Sequence, residues 1–257
     1  MALINDLEPH IERARQAVES AKAMKSDKLA WDAFRKCFGY RFCWSSNGLE
    51  GNTLSLDETI AVVDFDEVSS GHTFSEYREA KDLYRAIQET LSFEPAEITV
   101  ERMQNANAII CGTDGGFRAT DVFIGSATEA IFYPPSPARV PELAREFVDG
   151  ANGLRFEDFS SAVAGIAERH IHFERIHPFR DGNGRTGRII MNQMLVNHGI
   201  LPSAISHKSQ YRQAFRAYDR NRDTSMLVYL LCGALVESAR SLAECHGKRI
   251  RDQWGQS

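Results

Sequence analysis

The sequence has few cysteines, and none of them lies in a metal-binding or disulfide-rich pattern. Its five cysteines are an odd number, are widely spaced and include no CxxC pair. A small secreted scaffold or a zinc site built from paired cysteines would need close, regular spacing. We therefore expect free, reduced thiols and a cytoplasmic protein.

Long apolar runs and a secretory signal are also absent. No stretch approaches the roughly 18 consecutive apolar residues that a membrane helix needs. The opening residues, MALINDLEPHIERARQ, have neither the basic region nor the apolar region of a signal peptide. The sequence therefore predicts no membrane span.

An excess of positive charge is the third absence. The chain has 30 Lys and Arg against 35 Asp and Glu, for a formal net charge of −5. Such a balance gives no general attraction to nucleic acid or to an anionic membrane. We expect neither as a partner.

Helical periodicity dominates what is present. The 257 residues are 43% hydrophobic and 25% charged, as in ordinary globular proteins. Ser55 and Glu58 have the spacing of a capping box, which predicts a helix from Leu56. β-Prone residues in VFIGSATEAIFYPP predict one small hairpin. The fold class is mainly α, and apolar residues recur at helical spacing in residues 3–24, 74–92, 141–149, 157–176, 186–198, 208–219 and 224–244.

One stretch, IHPFRDGNGRTGRI at residues 176–189, combines glycines, arginines, an acid and a histidine. Pro178 interrupts the helical pattern, because the residue before a proline is driven out of the α region. A new helix is predicted from Thr186. The loop between the two helices leads into a helix N-terminus, where free backbone N–H groups and the positive end of the dipole attract anions.

The side chains of this loop suit a phosphate ligand. Gly182 and Gly184 let the backbone approach a ligand closely. Arg185 and Arg188 are three residues apart, about one helical turn, so both can reach one anion with forked donors. Asn183 adds a side-chain amide.

An acid and a histidine complete the loop. Asp181 is an acid among phosphate-binding groups, which suits a divalent metal that bridges phosphates. His177 titrates near neutral pH and could remove a proton. The residues indicate a polyphosphate and Mg²⁺ site with a general base beside it; a plain helix-capping turn is the alternative.

The loop fills every fixed position of the pattern HxFx(D/E)GNGRxxR, since His177–Arg188 is HPFRDGNGRTGR. This pattern is the signature of the Fic family, which the chain resembles over residues 40–235. Gly116-Phe117-Arg118 and Tyr133-Pro134-Pro135 are similar to the stretches that flank the family's β-hairpin flap. The resemblance implies the Fic fold, a helical bundle with a small hairpin flap beside the active site.

Fic proteins typically transfer AMP from ATP to a Ser, Thr or Tyr hydroxyl of a protein and release pyrophosphate. By motif position, the resemblance implies that His177 deprotonates the target hydroxyl and that Asp181 holds Mg²⁺ at the α and β phosphates. Phe179 would pack beneath the loop. The implied nucleotide-binding residues are Gly182, Asn183, Gly184, Arg185 and Arg188.

Further roles follow from the same resemblance. The flap residues Thr128, Glu129 and Ala130 would pin a target segment by strand-like backbone pairing. Tyr211 lies where the family places adenine-side contacts. The expected partners are ATP and a target protein, including the chain itself, and a homo-oligomer is left open. The expected regions are an N-terminal helical region (1–95), a catalytic core (96–235) and a C-terminal helical tail (236–257).

A second motif lies far upstream of the loop. SSNGLEGN at residues 45–52 is rich in turn-forming residues, yet Ser46–Gly51 fits (S/T)xxxE(G/N), the pattern of the inhibitory helix of many Fic proteins. The resemblance implies that Ser46 and Glu50 are inhibitory. We expect Glu50 to pair with Arg188 and to repel the ATP γ-phosphate. Gly48 departs from the bulkier residue that is usual at its position.

Three residues near the loop invite other interpretations. His170 and His172 point to different helix faces and, with no HExxH or CxxC, do not predict a zinc site. His170 lies on the apolar stripe, which predicts a hydrogen-bonded core histidine. Glu174 is interpreted as a solvated side chain.

Other reactions stay open at this stage. Related proteins transfer phosphate or phosphocholine, or remove AMP, and in the last case the inhibitory glutamate positions a water. A nucleotide-binding regulatory or antitoxin-type module without turnover is a further alternative. Protein adenylyl transfer, inhibited by Glu50, is the leading hypothesis.

Overall fold

A computed structural model of the chain describes residues 4–126 and 129–254. Within these residues, helices account for most of the chain and the only sheet is one antiparallel pair of strands. The mainly-α prediction with one hairpin is confirmed. The elements are α1 (Glu8–Lys22), α2 (Lys28–Glu50), α3 (Leu56–Phe65), α4 (Phe74–Thr90), α5 (Val100–Cys111), β1 (Ile124–Ser126), β2 (Glu129–Phe132), α6 (Val140–Asn152), α7 (Phe159–Ile176), α8 (Asn183–Asn197), α9 (Lys208–Asn221) and α10 (Ser225–Trp254).

Several helices begin at side-chain caps that the sequence supplies. The predicted capping box is confirmed, because Ser55 and Glu58 bond each other's backbone N–H at the start of α3. Thr73 and Glu76 form a second capping box at the start of α4. Helix α5 was not predicted; its cap is Thr99, whose side chain accepts a hydrogen bond from the Arg102 N–H at 3.1 Å.

The turn-forming residues at 45–50 are helical, because they form the last turns of α2. Ser46, Asn47 and Leu49 are buried there, so tertiary packing outweighs the weak helix propensity of this stretch. The helix ends at Gly51, whose φ of +121° suits glycine and few other residues. Glu50 is therefore held at the very end of a long helix.

Helix α8 begins earlier than predicted, at Asn183 rather than Thr186. Gly182 precedes it in a left-handed conformation with φ of +74°. A Cβ on Gly182 would lie 2.6 Å from the Cys111 Sγ atom, so only glycine fits between the loop and α5. The first turn of α8 thus includes Gly184 and Arg185.

One hydrophobic cluster contains residues from all three expected regions, among them Phe34, Val163 and Leu242. Phe147 lies in this cluster and packs on Phe173, with ring centroids 5.4 Å apart. The expected boundary after residue 235 falls inside α10. The cluster fixes α7 and α8 at the centre of the bundle.

Within α10, Ser225–Lys248 is long and apolar enough to cross a membrane by length and composition, which the sequence had not predicted. However, 67% of its most apolar window is buried inside the protein. The core helix of a globular protein has the same composition. Most of this window therefore packs against the rest of the protein.

The hairpin lies beside the helical core. Ser126 pairs with Glu129 and Gly125 with Ala130, and the register shifts between Ile124 and Gly125. Glu129 and Ala130 thus lie on β2, as expected for a flap. Thr128, the third predicted flap residue, lies outside the described residues.

Phe147→Ala should lower the free energy of unfolding by about 3–5 kcal/mol, because it empties a fully buried position between helices. Chemical denaturation measures this change. The matched control is Phe74→Ala, whose side chain is 80% exposed and should change stability by less than about 0.5 kcal/mol. Equal effects of the two substitutions would contradict the assignment of Phe147 to the core.

Candidate active site

His177 ends α7 in a left-handed conformation, with φ of +49°. Its backbone N–H still donates to the Phe173 carbonyl at 3.1 Å, and Pro178 prevents the helix from continuing. A non-glycine residue in this conformation costs about 1–2 kcal/mol, so surrounding contacts must hold it. The His177 Nδ1 atom lies 3.3 Å from the Glu174 carbonyl oxygen, at the start of the loop.

Arg118 supplies those contacts, a role that sequence reasoning did not assign. Its Nε donates to the His177 carbonyl at 2.8 Å, and its backbone N–H donates to the Pro178 carbonyl at 3.0 Å. Its guanidinium also donates to the Pro135 carbonyl, just beyond the hairpin. Arg118 thus ties the loop to the base of the flap.

Asn183 shapes the loop from within. Its side-chain oxygen accepts from the Phe179 N–H, and its amide donates to the Phe179 carbonyl, each at 2.9 Å. Phe179 is buried and packs on Phe117, as predicted for a residue beneath the loop. The amide of Asn183, expected to contact phosphate, is therefore engaged within the protein, which leaves its backbone N–H for an anion.

The carboxylate of Glu50 lies against the N-terminus of α8. A Cβ on Gly184 would lie 2.3 Å from the Glu50 Oε1 atom and 2.9 Å from an Arg188 nitrogen. Helix N-termini attract anions through unpaired N–H groups and the helix dipole. Glu50 therefore occupies the surface where the sequence predicts phosphate.

Arg188 is the residue that Glu50 binds. The Arg188 Nη2 atom donates to Glu50 Oε1 at 2.6 Å and to the Ser46 carbonyl at 3.0 Å, and Nε donates to Ser46 Oγ at 2.8 Å. The side chain of Arg188 is 2% exposed, whereas that of Glu50 is 45% exposed. The two residues predicted to be inhibitory, Ser46 and Glu50, thus both bond the same buried guanidinium.

The ion pair keeps Glu50 charged. Burial raises the pKa of Glu50, but the charge of Arg188 and its hydrogen bond lower it more, with smaller help from Arg185 and Lys208. The net pKa lies below the ordinary value for glutamate. At neutral pH Glu50 is therefore an anion at an anion-binding helix end.

Comparison with known proteins agrees with this geometry. The sequence profile of the Fic/DOC family matches residues 74–195, which include α7, the signature loop, most of α8 and the hairpin. Residues 74–195 of the chain are a Fic/DOC family domain. The fold predicted from the signature loop is confirmed.

Two relatives illustrate the similarity to Fic proteins. A probable protein adenylyltransferase of Aquifex aeolicus is 33% identical over 178 residues, which are 65% of this chain and 51% of that protein. A protein adenylyltransferase of Caenorhabditis elegans is 30% identical over 176 residues, 63% of this chain and 33% of that protein. The chain thus spans about half the length of the first relative and a third of the second.

Solved structures share the fold. A Fic-domain-containing signaling protein from Bacteroides thetaiotaomicron has a TM-score of 0.74 at 24% identity, covering 93% of this chain and 97% of that chain. Fic-1 from Caenorhabditis elegans has a TM-score of 0.70 at 20% identity, covering 92% and 73%. At these identities the likeness establishes the fold alone.

In this Fic protein Tyr211 lies beneath Arg188 rather than in an open nucleotide pocket. Its side chain is buried, and the guanidinium carbon of Arg188 lies 5.5 Å from its ring centroid. Its hydroxyl is 2.6 Å from the His170 Nε2 atom. A ring with 7% exposure offers little surface for stacking an adenine, so Tyr211 acts here as a support for Arg188.

His170 is the core histidine that the apolar stripe predicted. It is fully buried, and burial lowers its pKa to about 3, with a smaller contribution from the charge of Arg188. It is therefore neutral at physiological pH. Its bond to the Tyr211 hydroxyl fixes the ring on which Arg188 lies.

Glu174 is buried, so its interpretation as a solvated side chain is wrong. A Cβ on Gly187 would lie 2.5 Å from Glu174 Oε1, which shows how closely α7 and α8 approach here. Burial raises the pKa of Glu174 to about 7, against the opposing charge of Arg188. Gly187 on the facing helix α8 is the sequence feature that could have indicated this close packing.

Asp181 lies at the exposed edge of the loop, and the nearby Arg185 is buried in the first turn of α8. The Asp181 side chain is 81% exposed, and its Oδ1 lies 3.9 Å from an Arg185 nitrogen. Among the described residues no three His, Cys, Asp or Glu side chains are grouped to hold a metal. One open carboxylate fits Mg²⁺ of the kind that takes most of its ligands from substrate phosphates and water, and Asp181 would hold it.

The His177 side chain should be uncharged above about pH 4. Burial, and secondarily the charges of Arg118 and Arg175, lower its pKa from the ordinary 6.5 to about 4. The proton is therefore lost well below neutral pH, which leaves His177 able to accept one. An NMR titration of the histidine ring signals measures this midpoint.

A His177→Gln variant assigns the signal, because it removes one low-pH titration and leaves that of His170. A His177 midpoint near 6.5 would contradict the burial of the ring.

Proposed function

We propose that this chain is a cytoplasmic protein adenylyltransferase that is inhibited by its own Glu50. It would transfer AMP from ATP, with Mg²⁺, to a Ser, Thr or Tyr hydroxyl of a target protein and of the chain itself. The names of the relatives support the reaction class. The observation that carries the proposal is that one helix–loop–helix contains His177, the α8 N-terminus and Arg188.

The transfer step needs a base, an electrophile and a leaving group. The hydroxyl oxygen of the target attacks the α-phosphorus of ATP, its proton passes to His177, and the bond between the α-phosphorus and the bridging oxygen breaks. Pyrophosphate leaves. Mg²⁺ held by Asp181 would supply charge stabilisation at the phosphates.

The chain's own residues set the geometry of that step. Arg118 donates to the His177 carbonyl at 2.8 Å, and this bond would hold the proposed base in place beside the loop. Backbone N–H groups at the start of α8 stabilise charge on the α-phosphate. Arg185 and Arg188 bind the β and γ phosphates, which aligns the leaving group opposite the attacking oxygen.

Inhibition follows from competition for Arg188. The arginine has a carboxylate partner at 2.6 Å, so a γ-phosphate must displace Glu50 to reach it. ATP that binds without this contact is shifted along the loop, and a small displacement of the α-phosphate greatly slows an in-line attack. The protein is therefore expected to have low basal activity.

Removal of AMP from modified protein is the second candidate function. The Glu50 side chain is 45% exposed although its carboxylate lies at the α8 N-terminus. A carboxylate so placed can orient a water toward a phosphodiester at the same loop. Glu50 would then be required for this reaction and inhibitory for the transfer.

Glu50→Gly should raise transfer of label from [α-³²P]ATP to protein about ten- to a hundredfold, the worth of one charge-assisted hydrogen bond. His177→Ala in the Glu50→Gly background should reduce it at least about a hundredfold, through loss of the base. The measurement is protein-bound radioactivity after denaturing gel electrophoresis. Parallel reactions use [γ-³²P]ATP and should give no bound label.

The control is Glu12→Gln, which removes an exposed ion pair with Arg15 and should leave transfer unchanged. Label bound from the γ position would show phosphoryl transfer and overturn the proposal. Absence of bound label in every variant, with ATP still bound, would indicate a module without turnover. Loss of AMP from pre-modified protein by the wild type but not by Glu50→Gly would favour the second candidate.

A further inference from the structure

The chain beyond Glu50 leaves α2 through a tight turn. The Gly51 N–H donates to the carbonyls of Asn47 and Gly48 at 3.0 and 3.2 Å, and the Asn52 N–H donates to the Asn47 carbonyl at 3.1 Å. These bonds satisfy carbonyls that a helix end otherwise leaves free. They also fix where the Asn52 side chain points relative to Glu50.

Asn52 binds the first turns of α4 with both hydrogens of its amide. Its Nδ2 donates to the Glu76 carbonyl at 3.0 Å and to the Glu79 carboxylate at 2.9 Å. Its side-chain oxygen accepts from the Leu54 N–H at 3.1 Å. The Asn52 side chain, which is next but one to the inhibitory glutamate, thus makes two hydrogen bonds as a donor and one as an acceptor.

Thr53 adds a second attachment to the same helix. Its N–H and its hydroxyl donate to Glu76 Oε1 at 2.8 and 2.6 Å. The other carboxylate oxygen of Glu76 accepts from the backbone N–H and the hydroxyl of Thr73 at the start of α4. Bonds from Thr53 and Thr73 lower the pKa of Glu76 to about 2, so these contacts are charge-assisted at neutral pH.

Helix α4 is a firm support for these bonds. It packs along α2, where the rings of Tyr40 and Tyr84 stack with centroids 5.5 Å apart. Gly39 permits this approach, since a Cβ there would lie 2.8 Å from the Tyr84 ring. Glu79, which accepts from Asn52, also lies 4.0 Å from an Arg185 nitrogen at the catalytic loop.

We propose that Asn52 is a positioning residue of the inhibitory contact, with Thr53 as its auxiliary. By fastening the chain after α2 to Glu76 and Glu79, Asn52 holds the last turn of α2 in place and thereby keeps the Glu50 carboxylate on Arg188. Loosening of this attachment would free Glu50 while Arg188, His177 and the rest of the catalytic loop stay intact. This inference rests on the proposed function.

Asn52→Asp tests the attachment with little change in size. It replaces the donating amide by an oxygen, which then faces the Glu76 carbonyl and the Glu79 carboxylate at hydrogen-bond distance. Label transfer from [α-³²P]ATP should rise at least about tenfold over the wild type. In the Glu50→Gly background the same substitution should add nothing, because the inhibitory carboxylate is already gone.

The matched control is Asn105→Asp, which adds the same charge at an exposed position on α5 and should leave transfer unchanged. Thr53→Val keeps the shape of the side chain and removes the hydroxyl donor, so label transfer should rise by less than in Asn52→Asp. This variant keeps the inference testable if the aspartate variant folds poorly. Adding Glu79→Gln to Asn52→Asp restores a donor opposite the aspartate and should lower transfer again.

Hydrogen exchange supplies a readout besides activity. Amides of residues 46–53 should exchange at least about threefold faster in Asn52→Asp than in Asn105→Asp, because the last turn of α2 loses its support.

A rise with Glu50→Gly but none with Asn52→Asp, together with unchanged exchange, would overturn the inference and leave the proposed function standing. A failure of Glu50→Gly itself to raise transfer would overturn the proposed function and this inference with it.

Discussion

The ion pair between Glu50 and Arg188 is the contact on which the site depends. A guanidinium with 2% exposure must have partners, because an unpaired buried charge costs several kcal/mol. Ser46 and Glu50 provide them from one helix end, and Tyr211 provides an aromatic face below. In the proposed reaction a nucleotide phosphate would bring negative charge and oxygen acceptors to the same place, so it would replace Glu50 as the partner of Arg188.

The rest of the fold delivers these groups to one place. The hydrophobic core sets α7 against α8, and the signature loop spans the gap between them with His177 and Gly182 in left-handed conformations. Helix α2 ends with Glu50 at the α8 N-terminus. Arg118 on one side and Asn52 on the other fasten the loop and the inhibitory turn to their neighbours. The residues proposed for inhibition and for catalysis are thus supplied by the same helix ends.

The sequence predicted the helical class, the hairpin and the catalytic loop, because each is encoded in a contiguous pattern. The pairing of Glu50 with Arg188 was expected from the resemblance of two separate motifs to the Fic family, and the two side chains do form a hydrogen bond. It did not predict the burial of Glu174, which depends on how closely α7 approaches Gly187. It did not predict the roles of Arg118 or Asn52, which bond backbone atoms distant in sequence. It predicted a nucleotide contact for Tyr211, whose ring the packing of α9 buries beneath Arg188.

The central claim is that the γ-phosphate of ATP and the Glu50 carboxylate compete for Arg188, and the affinity for ATP relative to ADP tests it most directly. Isothermal titration calorimetry measures both dissociation constants for the wild type and for Glu50→Gly, with Glu50→Gln as the variant that keeps the side-chain length. The wild type should bind the two nucleotides within about threefold of each other, because Glu50 keeps the γ-phosphate from Arg188. Glu50→Gly should favour ATP over ADP by about ten- to a hundredfold. An unchanged ratio in Glu50→Gly would contradict the account.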